Sequence, residues 1–166
     1  MTLTASAQNG RLTVRKGIFG RVLYTVEAEK GYALCHLRGE DGAYIATLER
    51  EGYLRSNTVY NVYKGTERAG VMAAAPRIGA KEGSLPIITC SYTGRRFDGS
   101  RIVKPFRSSD GTEGEILFAA VSKKPGGWAI RFRGEHGLEE EEDAVLMLSA
   151  ALAWRKVRDR SPGRRT

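Results

Sequence analysis

Two hydrophobic regimes divide this chain. Between about residues 12 and 133 the apolar positions come in short β-prone runs. Candidate strands are Leu12–Arg15, Arg21–Glu27, Tyr32–Leu37, Ala43–Leu48, Thr58–Tyr63, Gly70–Ala74, Leu85–Tyr92, Ser100–Pro105, Glu115–Ser122 and Trp128–Arg133. Turn chemistry separates them: AEKG at 28–31, GEDG at 39–42, KGTERAG at 64–70, SSDGTEG at 108–114 and KKPGG at 123–127. From Ala144 to Trp154 the pattern changes to AVLMLSAALAW, in which Ser149 is the one polar residue. Ala, Leu and Met favour helix, and a helix that is apolar all round must be buried all round. Eleven residues at about 1.5 Å each span roughly 17 Å, too short for a bilayer core of about 30 Å. Repeated short strands predict a sandwich or a barrel. The all-round apolar helix selects a closed antiparallel β-barrel, because a closed sheet encloses a helix on every side and leaves no strand edges exposed.

Charge frames that helix. Glu139 to Asp143 precede it, and Arg155, Lys156, Arg158 and Arg160 follow. Each group complements the nearer end of the helix dipole. The formal net charge is +8. Residues 155–166 supply +5, the acidic run −5, and residues 1–138 a further +8. The predicted barrel is therefore basic in its own right, with a second basic element trailing from the helix. Such surfaces favour anionic phospholipid headgroups, an acidic protein surface or nucleic acid. Nucleic acid is the weakest of these, since few aromatics interleave with the bases.

A length of 166 residues fits one domain. No window is long and apolar enough for a membrane-spanning helix. MTLTASAQNG lacks the regions of a signal peptide, and Thr2 rules out a myristoylation site. A cytoplasmic location is expected, peripheral at a membrane if the lipid reading holds. Cys35 and Cys90 both lie in strand-like runs and read as buried free thiols, although the sequence leaves a disulfide open.

Catalytic motifs are wanting. His36 and His136 have no ligand-spaced neighbours, and neither CxxC nor HExxH occurs. GVMAAAPRIG at 70–79 lacks the ending of a P-loop. Residues 139–143 lack the alternation of an EF-hand, and the start of a helix explains them better. His36 follows Cys35 directly, so in a strand the two face opposite ways. A non-enzymatic protein without cofactor or metal is expected.

The order of several segments resembles a known family. Tyr44-Ile45, then Leu54-Arg55-Ser56-Asn57, then Val62-Tyr63 follow an early strand pair of the tubby C-terminal domain. AGVMAAAPRIGAKEG at 69–83 is similar to that family's alanine-valine strand and the glycine-containing loop after it. Ile87-Ile88-Thr89 resembles the next strand, and residues 115–154 resemble the closing strand pair and alanine-rich helix. The likeness covers most of residues 20–154 and extends to the phospholipid scramblases and LURP-one proteins.

That resemblance implies about twelve strands closed around the final helix. By composition and charge, residues 1–156 read as the barrel, with the helix at about 139–156, and 157–166 as a basic flexible tail. The resemblance also implies phosphoinositide binding through a lysine and an arginine two residues apart. One alignment puts those positions at Thr47 and Glu49, the other at Tyr53 and Arg55. The candidate headgroup-binding residues are accordingly Arg55, with Arg77 and Lys81 in the glycine-containing loop, and Arg15 and Lys16 before the GIFGR turn. Further basic clusters are Arg95-Arg96, Lys123-Lys124 and the alternating Arg131 and Arg133. A protein-interaction scaffold that keeps the barrel without the lipid site is the alternative.

Overall fold

The computed structural model describes residues 1–17, 19–51, 58–79, 81 and 84–159, with the side chain of Asp159 excepted. Twelve strands and one helix follow in chain order: β1 (Thr2–Gln8), β2 (Arg11–Lys16), β3 (Val22–Glu29), β4 (Leu34–Gly39), β5 (Tyr44–Glu51), β6 (Thr58–Lys64), β7 (Glu67–Ala75), β8 (Ile87–Cys90), β9 (Arg96–Phe97), β10 (Arg101–Arg107), β11 (Glu113–Lys124), β12 (Gly127–Phe132) and α1 (Leu138–Asp159). Every strand pairs antiparallel with its sequence neighbours, and β1 pairs with β12 to close the barrel. The predicted fold class is therefore the observed one.

Alternation builds the wall. Leu12 and Val14 of β2, Cys35 and Leu37 of β4, and Ala46 and Leu48 of β5 are buried, while the residues between them are at least partly exposed. Register shifts at Val14/Arg15, Leu37/Arg38, Val62/Tyr63 and Ile102/Val103 mark bulges, which bend strands and help a sheet to close. At the seam, a Cβ on Gly127 would lie 1.9 Å from the Ala5 carbonyl oxygen. Only glycine lets β12 approach β1 that closely.

Barrel bore grows with strand number, and eight strands hold little more than their own side chains. Twelve make room for a helix. Ala144, Ala150, Ala151 and Ala153 keep α1 slim, and Val145 to Leu148 are fully buried among wall residues. No helix among the described residues is long and apolar enough to cross a membrane. α1 continues to Asp159, so three residues assigned to the flexible tail are helical. The remainder of that predicted tail, 160–166, lies outside the described residues.

Part of the wall leaves the ring. β9 pairs with β10 only at Ile102 and Val103, and β12 pairs with β11 from Ala119 onward. Lys104–Arg107 and Glu113–Ile116 pair with each other alone and form a projecting two-stranded ribbon. Phe106 covers Gly114, where a Cβ would lie 2.6 Å from its ring. Phe106 and Ile116 are both exposed.

Candidate functional site

Since neighbouring strands run in opposite directions, the barrel has two distinct ends. Lys64, the last residue of β6, and Tyr24, near the start of β3, both touch the first turns of α1. The other end gathers the turns after β1, β3, β7 and β11 around the close of the helix.

The helix N-terminal end is sealed by its acids. The Tyr24 hydroxyl donates to Glu141 Oε1 at 2.8 Å, and His136 Nε2 is 2.8 Å from Glu141 Oε2. The His136 ring stacks on Phe132 with centroids 4.0 Å apart. Asp143, 5 % exposed at its side chain, meets Lys64 Nζ at 3.0 Å and accepts the Tyr92 hydroxyl at 3.0 Å. Arg95 stacks over Phe118 and reaches Glu140 at 3.7 Å. Burial, reinforced by the adjacent carboxylates, pushes the Tyr24 and Tyr92 phenols far above their ordinary range. The void beside this network is about 10 Å³, no more than a single water fills. The acidic run is thus a set of clamps as well as a dipole complement. Lys64→Met is expected to cost about 3 kcal/mol or more, because it strips the cation from a buried carboxylate. Urea unfolding measures this, and adding Asp143→Asn should restore part of the loss.

The opposite end is open. A cavity of about 330 Å³ lies between the close of α1 and strands β1 to β4 and β12. That volume is at the lower bound for small-molecule sites. Leu12, Val26, Cys35 and Leu152 give it an apolar floor, and Arg11, Lys123, Arg155 and Lys156 a basic rim. Lys123 Nζ sits 3.9 Å from the Trp128 ring centroid and the Arg155 guanidinium 5.6 Å from it. The nearby acids are engaged: Glu27 with Arg11 at 2.8 Å and Glu29 with His36 at 3.3 Å. Ser149 gives its hydroxyl to the Val145 carbonyl at 2.7 Å. Burial pushes the Cys35 thiol up to about 12, so it is not a nucleophile near neutral pH. Such an arrangement can bind and orient a ligand.

The residues expected to hold a headgroup are dispersed. Arg77 and Lys81 follow β7 and lie at the open end, across the rim from the cavity, since β7 stands opposite β1 in the ring. Arg77 Nε donates to the Leu85 carbonyl at 3.2 Å, and its guanidinium lies against Gly99. Arg15 and Lys16 end β2 at the far, helix N-terminal rim, with Arg15 Nη1 3.3 Å from the Gly20 carbonyl. Arg55 and Tyr53 lie outside the described residues. Thr47 and Glu49 are on the outer face of β5, where Thr47 bonds to His36 and Tyr44. Arg131 lies outside the wall, as its alternation predicts. Cys35 and Cys90 are free and buried.

Sequence reasoning missed the assembled rim and one inward arginine. Arg11, Lys123 and Lys156 come from three distant segments that only barrel closure brings together. Arg50 continues the inward phase of Ala46 and Leu48, a signal that the strand's alternation does carry. Among the described residues no group of three or more His, Cys, Asp or Glu side chains is placed to hold a metal ion. No family model, curated protein or solved structure matches the chain.

Proposed function

We propose that the protein is a non-enzymatic, tubby-like binding module that docks the open end of its barrel on anionic phospholipid. One observation carries this reading: the charges of α1 itself are segregated, acids in its first turn and bases in its last. The acids are drawn into the closed end, while Arg11, Lys123, Arg155 and Lys156 ring the cavity at the other. Arg77 and Lys81 add positive charge at the same end. A polarised particle of this kind approaches a negative surface basic end first.

Each lysine near an anionic leaflet is worth about 1 kcal/mol. Lys123→Glu with Lys156→Glu should therefore weaken co-sedimentation with phosphatidylserine or phosphoinositide vesicles by roughly thirtyfold or more. Lys16→Glu, at the far rim, should bind as the wild type does. Raising the salt should weaken all binding, because exposed charges are screened. Equal recovery of the wild type with neutral and anionic vesicles at low salt would end this reading.

The projecting β10–β11 ribbon favours a second reading, a protein-interaction scaffold. Its exposed Phe106 and Ile116 share one face of a ribbon whose outer edges are unpaired, a form suited to pairing with another chain.

A further inference from the structure

Inside the open end, the wall turns polar. Arg50 faces inward and stands directly across from Tyr60 on β6. Thr58 shares the inward face of Tyr60, one step nearer the rim. Tyr60 is 0 %, Thr58 3 % and Trp154, on the last turns of α1, 3 % exposed. Arg50 Nε and Nη1, Thr58 Oγ1, Tyr60 Oη and Trp154 Nε1 are all buried without a hydrogen-bond partner.

Buried polar atoms are nearly always paired. The four orphans on the adjacent strands β5 and β6 sit together, and their chemistry specifies a partner. Arginine only donates, and the two hydroxyls donate readily. Among the described residues Arg50 has no carboxylate partner. A guanidinium without an acceptor is best completed by the paired oxygens of a phosphate or carboxylate. The negative end of the helix dipole opposes an anion here, and the full charge of Arg50, with the helix-end bases, offsets it.

We propose that Arg50, Thr58 and Tyr60 form a binding site for an oxyanion group held inside the open end of the barrel. Cys35 connects this site to the neighbouring cavity. It lines that cavity, and it also raises the Tyr60 phenol, after burial and against Arg50, so the three groups are near neighbours. The oxyanion is therefore either free phosphate or the head of a single-chain amphiphile whose tail fills the apolar floor. Arg50 is only partly buried as a residue, whereas Thr58 and Tyr60 are sealed behind it. Membrane docking is a separate matter, because these side chains face inward and bind whether or not vesicles do.

Thermal unfolding tests the site in inorganic phosphate against chloride at equal ionic strength, and in dodecyl phosphate below its micelle concentration against dodecanol. At a hundredfold excess over the dissociation constant, the wild type should melt about 5 °C or more higher. Arg50→Met should abolish that rise, and Tyr60→Phe and Thr58→Val should reduce it. Response to phosphate and dodecyl phosphate at similar concentrations identifies a free anion. Response to dodecyl phosphate at far lower concentrations, with none to dodecanol, identifies the amphiphile. A wild type indifferent to both ligands overturns the proposal, as does an equal rise in Arg50→Met. Should Arg50→Met fail to fold, undiminished rises in both Tyr60→Phe and Thr58→Val overturn it equally.

Discussion

Leu148→Asp is expected to yield no folded protein, and Leu148→Ala a barrel weakened by about 2–5 kcal/mol. Leu148 sits midway along α1, 1 % exposed, with Val145, Leu146, Met147 and Ala151 buried around it. In a helix packed on one face, a new carboxylate can swing toward water. Here the wall closes the alternative directions, so the charge meets neither water nor a cation. Burying it uncompensated exceeds the 5–15 kcal/mol that holds a typical domain together. Circular dichroism and urea unfolding distinguish the outcomes. A Leu148→Asp variant with the wild-type spectrum and a cooperative transition would refute the enclosed helix.

The second large effect is alkaline collapse. Tyr24, Cys35, Tyr60 and Tyr92 all hold their protons more tightly folded than unfolded. Their ordinary values are 9.0 for the thiol and 10.0 for the phenols. Below about pH 8 the groups are neutral in both states and stability is intact. Above it the unfolded chain sheds protons that the folded chain keeps, so stability falls as pH rises. Cys35 and Tyr60, sealed in the interior, together contribute a slope of about 3 kcal/mol per pH unit once both unfolded groups titrate. Tyr24 and Tyr92, nearer solvent at the closed end, add less. Stability should thus fall by about 6 kcal/mol by pH 12, with tyrosinate absorbance and loss of ellipticity rising together as the chain unfolds. Tyr60→Phe should move the transition to higher pH. Gradual ionisation of the buried tyrosines in a protein that keeps its ellipticity would contradict this.

The architecture was legible because its strongest signal is unambiguous: eleven residues with one hydroxyl cannot face water on any side. Strands with β-branched alternation, such as TVYNVYK, declared themselves similarly. β1 did not, because TLTASAQ buries only Leu3 and Ala5, too little hydrophobic contrast for a period of two. β9 did not either, since Arg96-Phe97 is shorter than any period. The site was less legible for a different reason. Lys123 and Lys156 line one cavity only because the sheet closes around α1, a juxtaposition no local window contains. Arg50 reads as an ordinary strand charge until Ala46 and Leu48 fix its phase. The acids from Glu139 onward advertise a helix start but not Tyr24, Lys64 and Tyr92, their partners from far upstream.

The order in which the chain is made bears on the enclosed helix. Most of the buried residues of the twelve strands form one core with a segment that follows all of them. Until α1 emerges, Thr2–Phe132 is a sheet whose apolar face has nothing to cover it and whose first and last strands are open edges. At about 5–20 residues per second, synthesis of the roughly thirty residues from Phe132 to the end of the helix takes a few seconds. During that interval the nascent sheet is exposed to aggregation and edge-to-edge pairing. Closure of this barrel therefore depends on a segment made after every strand, and a chain cut before residue 138 should aggregate rather than close.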